Sequence, residues 1–284
     1  MSRGGSWMVK DKAKLILGIY TALLLAFFLT PLAMVVVLSF KAGASMSFPI
    51  EGFSLDWYFA PPGKLGTGGF RTGIFYDPYV LEAVKNSLIV GIITGLLSFA
   101  IGLPTALAFR YKFVGRDLLF YIILTGFLLP GVIMGLGAVL FYKMIGVKEF
   151  SIWTVIPIHL VYTLPFSFIL VLARFDPMLV EYEKAARALG ASGWEVFKKV
   201  TFPLIKTEAL SFFIFSFTLS LGELLRTSYV ITGTGTIPTY IYNQMSVVAP
   251  TPKWYAMGTI TTAISFGILL VGALLLTRGA RKAF

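Results

Sequence analysis

Six long hydrophobic runs dominate the chain and are separated by shorter polar segments. Each run holds about 20 residues, the length that an α-helix needs to cross about 30 Å of hydrocarbon. Backbone N–H and C=O groups inside a membrane must be bonded within their own segment, so these runs are expected to be helices. The predicted spans are 15–40, 87–109, 118–141, 152–173, 209–231 and 255–277. The pattern predicts an all-α, polytopic membrane protein with six transmembrane helices.

Composition supports a membrane location and excludes several kinds of chemistry. The chain is 57% hydrophobic and 13% charged, whereas soluble domains carry about 25% charged residues. There is no cysteine, and the single histidine, His159, cannot form a His-rich metal site. The first hydrophobic run is too long for the core of a signal peptide, so it is expected to remain as a helix.

The distribution of Lys and Arg predicts the orientation. Placing the N-terminus inside leaves sixteen of the 24 basic residues on inner segments and seven on outer segments. Short cytoplasmic loops carry this excess, so both termini are predicted to be cytoplasmic, in the cell (plasma or inner) membrane. The net charge of +11 is therefore attributed to membrane orientation, and no nucleic-acid partner is expected. Membrane lipid is the expected surrounding.

Two predicted loops are long. The extracytoplasmic loop 41–86 contains Pro61-Pro62-Gly63 and is expected to be irregular. The cytoplasmic loop 174–208 is polar but has hydrophobic residues at helical spacing, which predicts an amphipathic helix or helix pair on the inner face. Within it, Gly190 is placed to end a helix in the left-handed conformation. Pro203 is interpreted as the start of the next span, where a missing N–H is tolerated.

The cytoplasmic loop resembles the "EAA" loop of ABC importer permeases. The positions that match the pattern are Ala185, Ala186, Gly190, Val200 and Pro203. Lys184 occupies the position where that family has Glu, and Glu183 precedes it. The resemblance implies that this loop couples the chain to an ATPase subunit. The candidate coupling residues are Glu183, Lys184, Ala185, Ala186, Gly190, Ala191, Trp194 and Pro203.

The resemblance also implies the architecture and the partners. It predicts a single permease domain over 1–284 with the type I ABC importer architecture, and no enzyme activity in this chain. The expected partners are a dimer of ABC ATP-binding subunits, a second permease subunit and an extracytoplasmic substrate-binding protein. The phosphate-binding motif Gly-x4-Gly-Lys-Ser/Thr is absent from the sequence. No cofactor is therefore expected on this chain, and ATP and Mg belong to the partner subunits.

Ionisable residues inside the spans are candidates for the substrate path because they are expensive to place there. The candidate path residues are Glu223, Arg226, Tyr162, His159 and Tyr229. Two interpretations of the acid–base pair remain open: Glu223 faces the path, or it only neutralises Arg226 three residues later on the same helix face. His159 is either packed against a neighbouring helix through hydrogen bonds or a proton carrier.

The segments 220–225 and 237–242 resemble the corresponding parts of spermidine/putrescine permeases. That resemblance implies a polyamine-like solute, which an acidic Glu223 would suit. Arg226 departs from the pattern and would suit an aminophosphonate or another anion, and a sugar is a further alternative. Two other classes are considered. An ion-coupled secondary transporter predicts inverted halves or several buried carboxylates, and an intramembrane enzyme predicts a nucleophile–base set at depth.

Two small-residue motifs indicate close helix packing. They are Gly91-x3-Gly95 and Gly131-x3-Gly135. The sequence leaves open whether the close contacts lie within the chain or between subunits.

Overall fold

The structure is a computed structural model that describes residues 5–46, 48–65, 71–173, 175, 178–247 and 250–280. In this part of the chain the regular elements are helices. They are α1 (Gly5–Ser39), α2 (Asp56–Phe59), α3 (Pro78–Ala108), α4 (Arg116–Leu128), α5 (Gly131–Met144), α6 (Ile152–Leu172), α7 (Met178–Ala188), α8 (Gly193–Val196), α9 (Phe202–Leu221), α10 (Leu225–Tyr229), α11 (Ile237–Val247) and α12 (Pro252–Ala280). A 3₁₀ turn covers Ile74–Tyr76, and a π-helical stretch covers Phe197–Thr201. Arg174 and the tip of the predicted outer loop, 66–70, lie outside the described residues.

In the described residues, five continuous helical segments are long and apolar enough to cross a membrane, and one bent pair of helices meets the same criteria when its two members are taken together. The five are Lys14–Ser39, Pro78–Ala108, Ile152–Leu172, Gly193–Leu221 and Pro252–Leu274. The third predicted span is not one helix, because α4 and α5 meet at an angle of 105°. The cause is local: Pro130 cannot continue the helix, and the residue before a proline is pushed out of the α region. Leu129 is accordingly extended, with φ −68° and ψ 129°.

The fifth predicted span also differs from its expected bounds. Helical structure runs without interruption from Gly193 to Leu221, so it begins well before the predicted start at residue 209. The chain then leaves the helix at Gly222 and forms the short helix α10. Glu223 therefore lies in a break between two helices, not in the middle of a continuous span. A break of this kind frees backbone groups that side chains can then satisfy.

The chain divides into two compact units, Met1–Asp77 with Ala249–Ile260 and Pro78–Val248 with Thr261–Phe284. In the second unit, α3, α6 and α9 pack together into the central bundle. A hydrophobic cluster at the end of this bundle nearest α7 includes Phe109, Phe168 and Phe212, all nearly or fully inaccessible. Leu179 of α7 belongs to the same cluster, so one face of α7 packs onto the bundle.

Both small-residue motifs make their close contacts within the chain. Gly91 and Gly95 of α3 face the rings of Phe217 and Phe213 on α9. An added Cβ at Gly95 would lie 2.8 Å from the Phe213 ring, closer than side chains tolerate. Gly131 and Gly135 of α5 likewise face the side chains of α10. The missing side chains therefore let phenylalanine rings and α10 approach the backbone of neighbouring helices.

In the first unit, a buried ion pair and aromatic packing organise the segment after α1. Lys253 of α12 is fully buried and its Nζ lies 2.5 Å from Asp77 Oδ2. Trp57 of α2 is also buried, and its indole N–H donates to the carbonyl of Lys41 at 3.1 Å. By contrast, α1 leaves most of its hydrophobic side chains exposed between Leu15 and Leu29, as expected of a helix that faces lipid.

Candidate coupling site and substrate path

The coupling helix α7 ends where the sequence predicted it to end. Gly190 has a φ of +89°, and no atom lies within 4 Å of the position where a Cβ would stand. Its N–H donates to the carbonyl of Arg187 at 2.9 Å, and the N–H of Ala191 donates to that of Ala186 at 3.1 Å. These bonds satisfy the last carbonyls of the helix and turn the chain sharply. The prediction of a left-handed helix end at Gly190 is confirmed.

The next helix begins with a complete capping box. The Ser192 hydroxyl accepts from the N–H of Glu195, and the Glu195 carboxylate accepts from the N–H of Ser192 at 3.0 Å. These reciprocal bonds fix the first turn of α8. The α7–α8 connection is therefore a rigid turn with defined ends.

The exposed surface of this turn carries large apolar side chains. Leu189 is 90% exposed and Trp194 is 70% exposed. The Trp194 ring stacks on Phe197 with centroids 5.6 Å apart, which holds the indole in place. Ala185 is exposed and Ala186 is half-buried, so another surface can come close to this end of α7. We call the exposed surface of Ala185, Leu189 and Trp194 the coupling surface.

Glu183 and Lys184 point in opposite directions. Lys184 is exposed and pairs with Glu181 at 2.8 Å. Glu183 is only 4% exposed, and its carboxylate accepts hydrogen bonds from three donors. They are Arg110 Nη1 at 3.0 Å, the Tyr111 hydroxyl at 2.7 Å and the Thr201 hydroxyl at 2.5 Å. The candidate coupling residue Glu183 is therefore turned into the protein and is not presented to a partner.

The electrostatics of this cluster keep Glu183 charged. Burial alone would raise the pKa of the Glu183 carboxyl, but the hydrogen bonds from Thr201, Tyr111 and Arg110 together hold that pKa below its ordinary value. The same contact raises the pKa of Tyr111, because its hydroxyl donates to a carboxylate and is further desolvated. A buried, ionised carboxylate with three donors is a strong and directional link.

Pro203 lies inside a continuous helix rather than at the start of a separate one. The proline has no N–H to bond the carbonyl four residues earlier, and its ring crowds that turn. The preceding turn widens instead: residues Phe197–Thr201 are π-helical, and the N–H of Phe202 donates to the carbonyl of Phe197. Such a widened turn is a common way to absorb a proline. It also places Thr201 on the side that faces Glu183.

Glu223 and Arg226 form a buried ion pair at the break between α9 and α10. We call this ion pair the clasp. Arg226 Nη1 and its backbone N–H each donate to the Glu223 carboxylate at 2.9 Å. Arg226 Nη2 donates to the carbonyl of Leu129 at 3.3 Å, at the break between α4 and α5. The guanidinium also lies over the ring of Tyr162, 3.8 Å from its centroid. The clasp therefore connects two helix breaks and α6, and this arrangement favours the neutralising interpretation.

His159 is enclosed and hydrogen-bonded at both ring nitrogens. Nδ1 lies 2.7 Å from the Ser220 hydroxyl and Nε2 lies 2.7 Å from the Thr227 hydroxyl. Thr227 in turn donates to the carbonyl of Glu223 at 2.9 Å. His159 has no exposed surface in the chain. This arrangement favours a packed residue that joins α6 to α9 and α10.

Tyr162 and Tyr229 have different surroundings. Tyr162 is half-buried beneath the Arg226 guanidinium. Tyr229, also half-buried, packs on α5 at Gly135, where an added Cβ would lie 2.4 Å from the Tyr229 ring. The structure thus brings Tyr162, Glu223 and Arg226 into direct contact. Tyr229 is held separately, by close packing on α5.

Glu208 was not identified from the sequence. It falls one residue before the predicted fifth span, but helix α9 already includes it. Its Oε2 atom is buried and accepts no hydrogen bond from any described residue. The neighbouring Lys206 is exposed. A predicted fifth span that began a few residues earlier would have included Glu208, which would then have been a candidate as a carboxylate inside a membrane helix.

The long apolar helices place the chain among multi-pass membrane proteins. The chain belongs to the family described as binding-protein-dependent transport system inner membrane component, whose sequence pattern matches residues 98–282. It is a multi-pass permease subunit of the type I ABC importer class and is not itself an enzyme. Such permeases act with separate ATP-hydrolysing subunits and an external binding protein. Family membership decides against the secondary transporter and the intramembrane enzyme.

Individual relatives agree on the class and differ in the solute. The chain is 24% identical to the spermidine/putrescine transport system permease protein PotC of Escherichia coli, covering 95% of this chain and 96% of PotC. It is 28% identical to the sulfate transport system permease protein CysW of Synechococcus elongatus, covering 90% and 92%. Among solved structures, a bacterial ABC transporter for import of the acidic polysaccharide alginate matches with a TM-score of 0.67 at 17% identity, covering 96% of this chain and 98% of that one.

Proposed function

We propose that the chain forms one permease domain over 1–284, with residues 174–208 as the loop that couples it to a dimer of ABC ATP-binding subunits. The coupling surface supports this proposal, because exposed Leu189 and Trp194 on a rigid turn suit an apolar groove on a partner. ATP and Mg would be bound by those subunits. A second permease subunit would complete the path, and an extracytoplasmic binding protein would deliver the solute.

We further propose that both termini and the coupling loop are cytoplasmic. Because the chain has no cysteine, single cysteines report the topology without background. A cysteine replacing exposed Lys64 is expected to react with an impermeant maleimide added to intact cells. A cysteine replacing exposed Lys198 is expected to react only after permeabilisation. The reverse pattern would overturn the orientation.

We propose that the solute is cationic and polyamine-like. The support comes from the partners of the charged side chains on and between α6, α9 and α10. Arg226 is engaged by Glu223, the carbonyl of Leu129 and the Tyr162 ring, so it has little capacity left for an anion. The carboxylate of Glu208 lacks a donor to Oε2 among the described residues. Lys206 of the same helix is exposed, so the buried charge without a described partner in these helices is the negative charge at Glu208 Oε2, and it would attract an ammonium group. Similarity to PotC over 95% of the chain agrees with this proposal.

Similarity to CysW supplies the alternative, an anion such as sulfate, and transport assays decide between the two. The complete complex with its binding protein, in proteoliposomes, is expected to accumulate labelled spermidine when ATP is supplied. Unlabelled putrescine should compete and sulfate should not. Uptake of sulfate without uptake of spermidine would contradict the proposal.

Glu208→Gln separates the role of this charge from a role in folding. The substitution removes a partly desolvated charge and keeps the shape, so thermal stability should be unchanged or higher. Spermidine uptake should nevertheless fall, by about tenfold if one ammonium–carboxylate contact is lost. Lys206→Gln on the same helix is the matched control, because that side chain is exposed. Normal spermidine uptake by Glu208→Gln would remove Glu208 from the path.

A further inference from the structure

Three segments that are distant in the sequence meet at the buried carboxylate of Glu183. Arg110 and Tyr111 lie two and three residues after Ala108, the last residue of helix α3. Thr201 ends the π-helical stretch that leads into α9. Glu183 itself is in the middle of α7. One side chain therefore connects the coupling helix to the inner ends of two of the three helices that form the central bundle.

The donors are themselves fixed to their helices. Arg110 Nε donates to the carbonyl of Leu107 at 3.1 Å, within the last turn of α3. Its guanidinium also lies 5.5 Å from the centre of the Tyr111 ring and 5.7 Å from that of Phe175. Thr201 is buried at the widened turn before Pro203. A displacement of Glu183 would therefore act on the backbone of both helices and not only on flexible side chains.

The remaining surroundings leave room for movement beside this connection. A cleft of about 430 Å³ lies next to it, lined by Leu107, Arg187 and Phe197 among others. On the opposite side lie Ala185 of α7 and Leu189, directly after α7, both exposed and part of the coupling surface. One face of α7 is thus available to a partner, while the other is attached to α3 and α9 by directional hydrogen bonds.

We propose that Glu183 is a positioning residue that transmits displacement of the coupling helix α7 to α3 through Arg110 and Tyr111, and to α9 through Thr201. This proposal rests on the proposed coupling role of residues 174–208. Apolar packing around Leu179 holds α7 on the bundle, but it is non-directional and allows sliding. Hydrogen bonds to an ionised carboxylate fix distance and orientation. The hydrogen bonds of Glu183 therefore hold α7 at a fixed distance and orientation relative to the ends of α3 and α9 during the transport cycle.

The test uses the complete complex with its ATP-binding subunits, second permease and binding protein in proteoliposomes. The variants are Tyr111→Phe and Thr201→Val, each of which removes one hydrogen bond with almost no change of shape, and Glu183→Gln, which removes the charge. Glu181→Gln is the matched control, since its carboxylate is on the same helix in an exposed pair. Three quantities are measured: retention of the ATP-binding subunits, basal ATP hydrolysis, and solute imported per ATP hydrolysed.

We expect Tyr111→Phe and Thr201→Val to retain the ATP-binding subunits and basal ATP hydrolysis, whereas Glu183→Gln, which leaves the mostly buried side chain of Arg110 without its carboxylate, should also lose thermal stability. Solute imported per ATP should fall about tenfold or more, the effect of losing one hydrogen bond to a charged group. The control should match the unmodified complex. If a variant lowers thermal stability and uptake while import per ATP stays normal, Glu183 is only structural and the proposal is overturned.

Failure of the underlying coupling role gives a different result. In that case the unmodified chain would not retain the ATP-binding subunits, or its uptake would not depend on ATP. That outcome would overturn the coupling role and, with it, the proposed role of Glu183. The two conservative variants also separate the contributions of the two helices. Tyr111→Phe weakens the contact of Glu183 with α3, and Thr201→Val weakens its contact with α9.

Discussion

Replacing Glu223 alone by glutamine is expected to destabilise the protein strongly and to abolish uptake. The substitution leaves the guanidinium of Arg226 buried beside Tyr162 without its carboxylate partner. Removing one member of a buried ion pair costs about 3–5 kcal/mol because the remaining charge is uncompensated. Exposed pairs contribute about 0–1 kcal/mol. Thermal unfolding of the purified protein in detergent, together with uptake in proteoliposomes, measures both effects.

The double variant Glu223→Gln with Arg226→Gln discriminates between the two interpretations of this pair. No lone charge remains, so we expect stability and uptake to recover together if the pair is a clasp. Glu181→Gln is the matched control, since Glu181 and Lys184 have the same spacing of three residues but are exposed. A stable double variant without uptake would contradict the clasp and make Glu223 a residue of the substrate path.

Gly190→Val is expected to uncouple the transporter while the membrane helices stay intact. A β-branched residue at φ +89° costs about 1–3 kcal/mol, and the chain can relieve it by changing the turn between α7 and α8. The coupling surface would then be misplaced relative to its partner. We expect ATP hydrolysis stimulated by the binding protein, and uptake, to fall about tenfold or more. The midpoint of thermal unfolding of the isolated permease should change little, because the altered turn relieves the backbone strain and no atom lies within 4 Å of the added Cβ.

Gly193→Ala provides the control for this prediction. Gly193 lies three residues further along, also has no atom within 4 Å of a Cβ, and is not among the residues with positive φ. It should therefore support normal stimulation and uptake. Stimulation and uptake by Gly190→Val at the level of the unmodified complex would show that the shape of this turn is not needed for coupling.

The membrane helices and the helix end at Gly190 followed from the sequence because local rules determine both. Hydrophobic runs of membrane length must be helical in lipid whatever their neighbours are. A Gly after a small-residue helix ends it in the left-handed conformation through contacts within a few residues, and Gly190 does so. The bend in the third predicted span also has a local cause, Pro130. It was not predicted, because the hydrophobic pattern gives the length of a span and not the angle between its two halves.

The tertiary structure decided what each charged side chain does. The sequence left Glu183 and Lys184 as equal candidates, because neighbours on a helix differ in direction only once a packing surface exists. Burial of Leu179 sets that surface, so Glu183 meets Arg110, 73 residues away, while Lys184 stays exposed. The contacts of Arg226 with Leu129 and Tyr162 likewise span 97 and 64 positions. Such contacts depend on how helices pack, and local pattern carries no information about them.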